Sequence, residues 1–210
     1  MEFFRRSATA SSRLGVLPGA FNPITVAHLA IVRAALQRVD EVVLVLPRAL
    51  PHKDYGGATF AERIDMLQAA VADTPRCSLA TTEGGLFVEI AAECRTAYGE
   101  QVRLSFLCGR DAAERIVNWD YGSPDAFAGM LRQFDLLVAD RDGEYQPPIA
   151  FQDAIRRLPL LGEFEEVSAS AVRARIARGE PWEHLVPAAI GNQVRNIYGK
   201  AGNYCGGPRL

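Results

Sequence analysis

Apolar residues fall along this chain in two alternating rhythms. Short β-rich runs at Leu14–Leu17, Glu41–Leu46, Cys77–Thr81, Val102–Cys108 and Phe134–Ala139 are dense enough for strands buried on both faces. Between them, apolar positions recur at helical spacing or over helix-like lengths, at Val26–Arg38, Phe60–Ala72, Phe87–Tyr98, Ala112–Asn118 and Pro124–Arg132. Strand alternating with helix predicts an α/β fold built on a doubly wound parallel sheet.

The alternation stops after the fifth run. A Pro-rich connection, "DGEYQPPIAFQD", leads to a short strand expected near Phe164–Val167, then to two close helices, Ala169–Arg178 and Pro187–Ile197. The plan is thus a Rossmann-like sheet with a small C-terminal helical cap. The Gly-rich end, "GKAGNYCGGPRL", is expected to be mobile. We read a single domain over residues 1–210, with its core at 13–150, the cap at 151–199 and the tail at 200–210.

Composition narrows the function classes. A formal net charge of −2 gives no global basic field for binding nucleic acid, so any anion site has to be local. The four cysteines, Cys77, Cys94, Cys108 and Cys205, show no C-x-x-C pair and no zinc spacing, which suits free thiols in a reducing compartment. No segment approaches 18 uncharged apolar residues, and "MEFFRRSATASSR" lacks the apolar stretch of a signal peptide. A soluble, cytoplasmic protein without a membrane partner is expected.

In a doubly wound sheet ligands bind beyond the carboxyl ends of the strands. After the first strand, the loop from Pro18 to Ile24 delivers the chain to Thr25, a good N-cap, and places His28 about three residues into the helix. Both side chains then stand beside unpaired N–H donors at the positive end of the helix dipole, where phosphates bind. A cap and a packed histidine would account equally well for this stretch alone.

The stretch "GAFNPITVAHL" resembles the first signature of the nucleotidylyltransferases, a strand–loop–helix unit ending in [H/T]-x-G-H that holds the triphosphate of ATP or CTP. Thr25 and His28 match it, and Ala27 stands where the motif has glycine. A second stretch, "VSASAVRARIARGE", is similar to the family's I-S-S-T-x-I-R, with Ser168, Ser170, Val172 and Arg173 in matching places. Two hydroxyls and a guanidinium at a helix start suit the β- and γ-phosphates.

Further stretches resemble the nicotinate (or nicotinamide) mononucleotide adenylyltransferases. Pro51, His52 and Lys53, then Arg63, Met66 and Leu67, match a P-P-H-K segment followed by R-x-x-M-L. Gly109, Asp111 and Trp119 match a G-x-D segment with a later tryptophan, and "HLVPAAIGNQVRNIYG" is similar to the closing L-V-P helix. The resemblance implies His28, Thr25, Lys53 and Arg173 as catalytic residues. It implies an ATP site of Gly19, Phe21, Asn22, Thr25, His28, Gly109, Asp111, Ser168, Ser170 and Arg173. The acceptor would meet Lys53, Gly85, Phe87 and Trp119. One departure stands out: after the third strand the branch has hydroxyl residues that line a pyridine pocket, and here "TTEGGLFVEI" puts Leu86, Phe87 and Val88. An apolar wall does not replace those hydrogen bonds, so the acceptor stays open.

The implied reaction is attack of a phosphate monoester on the α-phosphorus of ATP, with pyrophosphate leaving. Its nucleophile is already an anion and needs no general base, so positioning and charge neutralisation carry it. Mg²⁺ is expected to arrive bridging the ATP phosphates, with no protein carboxylate cage for a metal. Pantetheine-phosphate adenylyltransferases share "PGAFNPIT-x-x-H" but are shorter and lack the Pro-His-Lys loop, and a nucleotide-binding module without turnover is the other alternative. The partners expected are ATP and a phosphate-bearing acceptor, not nucleic acid; oligomeric state is not legible, with a homo-oligomer left open.

Overall fold

The computed structural model describes residues 1–8, 10–49, 57–123, 125–140 and 144–199. Among them lie seven strands: β1 (Glu2–Arg5), β2 (Arg13–Pro18), β3 (Glu41–Pro47), β4 (Cys77–Thr82), β5 (Arg103–Gly109), β6 (Asp135–Ala139) and β7 (Ile155–Leu158). The helices are α1 (Val26–Ala35), α2 (Phe60–Ala70), α3 (Phe87–Tyr98), α4 (Arg110–Val117), α5 (Ala126–Leu131), α6 (Ala169–Arg178) and α7 (Gly191–Tyr198).

All strands join one sheet in the order β1-β4-β3-β2-β5-β6-β7. Every pairing is parallel except β1 on β4, which is antiparallel. The chain winds outward from β2 through β3 to β4, returns to pair β5 on the other side of β2, and winds outward again. Strand order therefore reverses between β2 and β5, which is the Rossmann-like, doubly wound topology with its ligand crevice at that point.

Alternation along each strand divides the core between two faces. On β3, Val42, Leu44 and Leu46 pack with residues of α1, α2, α6 and α7, such as Val32, Ile64, Val172 and Val194. Val43 and Val45 point the other way, toward Ile90 of α3, Ala113 of α4 and Phe127 of α5. The side-chain period of two makes this division automatic in a sheet buried on both sides.

Two strands escape the sequence reading. β1 precedes the alternating core and pairs along the free edge of β4, with Arg5 donating to the carbonyls of Val71 and Thr74. β7 reads "IRRL", buried only at its two ends, because it is an edge strand paired to β6 alone. Its exposed Arg156 and Arg157 form ion pairs with Asp135 and Asp140. The strand expected near Phe164–Val167 is not formed. Val167 N–H donates to the Phe164 carbonyl at 3.1 Å, closing a turn that leaves both residues packed on the core. Helix α5 begins at Ala126, and of the expected Pro124–Arg132 helix Pro124 lies outside the described residues, as do Lys53 and the tail from Lys200. The last expected helix divides into a 3₁₀ turn, Ala188–Ile190, followed by α7.

At the amino ends of the strands, Glu41 is 0% exposed, and its carboxylate accepts hydrogen bonds from the hydroxyls of Ser11 (2.7 Å), Tyr98 (2.7 Å) and Ser78. Burial, with the Glu41 carboxylate beside it, raises the Tyr98 phenol above its ordinary range. Three hydroxyls thus stand in for water around a buried acid. Tyr98→Phe is expected to lower the unfolding free energy by about 1–3 kcal/mol, because a buried carboxyl acceptor loses a donor. Urea denaturation with an unchanged slope checks it; no shift in the midpoint would contradict it.

Burial also pushes the thiols of Cys77, Cys94 and Cys108 up to about 12. At pH 7 to 9 they are therefore protonated as well as inaccessible. Ellman's reagent should reach these three only after unfolding, and rapid native-state labelling of any of them would contradict the packing.

Candidate functional site

The carboxyl ends of β2 and β5, at the point where strand order reverses, open into a cleft of about 550 Å³. Its walls come from the loop after β2, the first turns of α1, α4 and α6, and Phe87 at the start of α3. Every nucleotide-site residue expected from the sequence lines it except Thr25, which is 0% exposed directly beneath.

Thr25 starts α1, and its backbone N–H donates to His28 Nδ1 at 3.0 Å, with its hydroxyl 2.8 Å from the same nitrogen. An amide has only a proton to give, so Nδ1 accepts, and the neutral ring carries its proton on Nε2. The histidine is thereby held as a donor on the cleft wall, at the positive end of a helix. Phe21 packs edge-on against the imidazole, with ring centroids 5.3 Å apart, and adopts φ 46°, a left-handed value uncommon for a bulky residue. Gly19 makes room for it: a Cβ there would sit 3.1 Å from the Phe21 ring.

The same loop is fastened from behind. Arg63 of α2, 3% exposed, donates to the Ala20 carbonyl at 3.2 Å and to the Thr59 carbonyl at 3.3 Å. Asn22 turns its side chain inward, where Oδ1 accepts from the Tyr198 hydroxyl of α7 and from Ala58 N–H at 3.3 Å. Its backbone carbonyl accepts from the Arg173 guanidinium of α6. Gly57, at φ +101°, lies so near that a Cβ would come within 3.0 Å of both Asn22 and Tyr198. Burial raises the Tyr198 phenol, so it stays a donor.

Helix α6 faces α1 across the cleft. Ser168 caps it by accepting from Ala171 N–H at 3.0 Å, and Arg173 also reaches Ser170 Oγ at 3.4 Å. Gly109 caps α4 at the end of β5, where a Cβ would meet no protein atom within 4 Å, and Asp111 stands exposed in the first turn of that helix. Two helix starts of ten residues each, with a fixed guanidinium and a donor histidine, make a cleft chemically suited to a polyphosphate.

Beside it lies a second cavity of about 560 Å³, walled by Gly85, Leu86, Phe87, Val88, Ile116, Trp119, Tyr121 and Met130 with Arg115 and Asp120. The three described acceptor residues expected from the sequence, Gly85, Phe87 and Trp119, meet here. Trp119 is 56% exposed, too open for a core aromatic, while Phe87 is anchored by stacking on Phe106 at 4.4 Å. Sequence reasoning missed Arg110, Arg115 and Ile116, which α4 brings to the site; Arg115 follows Asp111 by one helical turn, a spacing that places it on the same face. Among the described residues no group of three or more His, Cys, Asp or Glu side chains gathers to hold a metal, and no helix is long and apolar enough to cross a membrane.

Replacing Asn22 with Ala should cost about 1–3 kcal/mol of stability, since the Tyr198 hydroxyl and the Ala58 amide both lose their acceptor. Tyr198→Phe should cost less, about 1 kcal/mol, because Ala58 still serves the amide. Denaturant unfolding of both variants and their double mutant checks this; fully additive effects would contradict a shared network.

Residues 16–175 match the family described as cytidylyltransferase-like. A probable nicotinate-nucleotide adenylyltransferase of Stenotrophomonas maltophilia is 32% identical over 204 residues, covering 84% of this chain and 91% of that protein. Another, from Dehalococcoides mccartyi, is 28% identical over 205 residues, covering 90% and 98%. The fold is similar to that of the Plasmodium falciparum nicotinic acid mononucleotide adenylyltransferase solved with NaAD, at TM-score 0.67 and 14% identity over 88% of this chain and 95% of that one. The chain therefore belongs to the cytidylyltransferase-like family and is a nucleotidyltransferase enzyme of the adenylyltransferase kind.

Proposed function

We propose that this enzyme transfers AMP from ATP to a pyridine mononucleotide, nicotinate or nicotinamide mononucleotide, forming the dinucleotide and releasing pyrophosphate. The observation that carries the reading is the pairing of a polyphosphate-suited cleft with an adjoining apolar, aromatic pocket. The names of the relatives support it.

The triphosphate lies between the starts of α1 and α6. His28 Nε2–H and the Arg173 guanidinium face the charge that grows on the leaving pyrophosphate, and Thr25 holds the imidazole in the donor tautomer. Asp111, on the first turn of α4, accepts from ribose hydroxyls, with Gly109 leaving room for the sugar. Mg²⁺ bound to ATP would supply further positive charge, and among the described residues no group of three or more His, Cys, Asp or Glu side chains would hold it, so its ligands would come from the substrate. Lys53, outside the described residues, brings a further charge by the family resemblance.

The pyridine ring stacks against Trp119 and lies along Phe87. Leu86, Phe87 and Val88 carry no hydroxyl, but they open α3, and the amides of a first helical turn lack partners within the helix. Leu86 N–H already donates to Glu89 Oε2 at 3.3 Å, so the ring substituent takes its hydrogen bonds from the amides that follow it in the first turn. The acceptor phosphate then attacks the α-phosphorus in line, already ionised, so the chain needs to supply only position and charge.

Pyrophosphate release with Mg²⁺-ATP is the test, run against nicotinate mononucleotide, nicotinamide mononucleotide and phosphopantetheine. Turnover is expected with a pyridine mononucleotide. His28→Ala should lower kcat roughly a hundredfold or more, while the lost cap costs about 1 kcal/mol of stability. Unchanged turnover in this variant would remove His28 from the mechanism. ATP binding without turnover on any acceptor would instead favour a nucleotide-binding module.

A further inference from the structure

The nucleotide cleft and the apolar pocket share three wall residues, Phe87, Arg115 and Ile116. We infer that Arg115 is an acceptor-anchoring residue, whose guanidinium binds the phosphate of the acceptor mononucleotide where that molecule passes from the pocket into the cleft. This rests on the acceptor reading given above.

The reaction joins an acceptor phosphate oxygen to the α-phosphorus, so an acceptor whose ring occupies the pocket has to extend its phosphate past these shared walls. Phe87 is an apolar ring fixed on Phe106, and the Ile116 side chain is aliphatic. Arg115 alone of the three offers charge. Its Nε–H donates to the Asp111 carbonyl at 3.1 Å, which draws the guanidinium back along α4 toward the carboxyl end of β5 and the cleft. The fork geometry of a guanidinium matches a phosphate with two parallel hydrogen bonds, and its charge persists at every working pH.

The other charged wall of the pocket is Asp120, which repels an anion and leaves Arg115 as the cation available to the acceptor there. Of the remaining cationic walls of the cleft, Arg173 is assigned above to the leaving pyrophosphate and Arg110 pairs with Glu114 at 2.8 Å; neither lines the pocket. A carboxylate on the pyridine ring would lie within the pocket rather than at its junction with the cleft, so the shared wall favours the phosphate.

The test compares Arg115→Met and Arg115→Lys with the wild type in steady-state pyrophosphate release. The methionine variant should raise the acceptor KM roughly tenfold or more, for nicotinate and nicotinamide mononucleotides alike. The KM for ATP should stay within about twofold, and lysine should restore part of the loss. Melting temperature should not change, since Arg115 is exposed on a short helix.

An unchanged acceptor KM overturns the inference. So does a rise confined to nicotinate mononucleotide, which would put the guanidinium on the ring carboxylate, or a rise in the KM for ATP alone. A wild type silent with both pyridine mononucleotides overturns the acceptor reading instead. Calorimetry with inorganic phosphate, in the presence of a non-hydrolysable ATP analogue, then decides Arg115 separately: phosphate bound by the wild type and not by Arg115→Met supports it, and equal behaviour overturns it.

Discussion

The side chain and carbonyl of Asn22 are where four distant pieces of chain become one site. Ala58, Arg173 and Tyr198 all donate to this one residue, which is 8% exposed. Each hydrogen bond adds only about 1 kcal/mol net, but a buried donor or acceptor left unpaired costs more. The network therefore tolerates one arrangement. In that arrangement α6 faces α1, and the loop carrying Phe21 is held against His28.

The chemistry demands little beyond such placement. In the proposed reaction an ionised phosphate attacks without a general base, so the chain has to hold two anions in line and meet the charge that develops. The sheet supplies the location, because the reversal between β2 and β5 leaves a crevice at their carboxyl ends. Helix α1 follows β2 and helix α4 follows β5, so both deliver their first turns to that crevice. Helix α6 arrives from the cap, fastened by Arg173. Far from the site, Glu41 and its three hydroxyls secure the opposite end of the sheet.

Much of this was legible in the sequence, and the limits are physical. Helices α3 and α6 match their expected bounds, since a Gly-Gly turn precedes one and Ser168 with Gly179 brackets the other. Strands β3, β5 and β6 announce themselves because burial on both faces makes their runs largely apolar, whereas β4, CSLATT, buries Ser78, Thr81 and Thr82 as well and shows mainly as a β-prone run. β7 does not, because an edge strand with two exposed arginines carries no such run. "FEEV" has the apolar ends of a strand, but a turn at Glu165 and Glu166 buries both ends without pairing. Asn22 was expected at the nucleotide site and lines the cleft, whereas its hydrogen bond with Tyr198, 176 positions away, depends on tertiary structure alone. Arg115 carried no motif, and only the cavities on both sides of it single it out. Lys53 lies outside the described residues.

The central claim is that two helix starts share one triphosphate. A crystal structure with Mg²⁺ and a non-hydrolysable ATP analogue tests it most directly. The account places the β- and γ-phosphates between α1 and α6, within about 3 Å of His28 Nε2 and of the Ser168–Ser170 turn. A triphosphate bound against α3 or α4, with His28 and Arg173 contacting only protein, would contradict it.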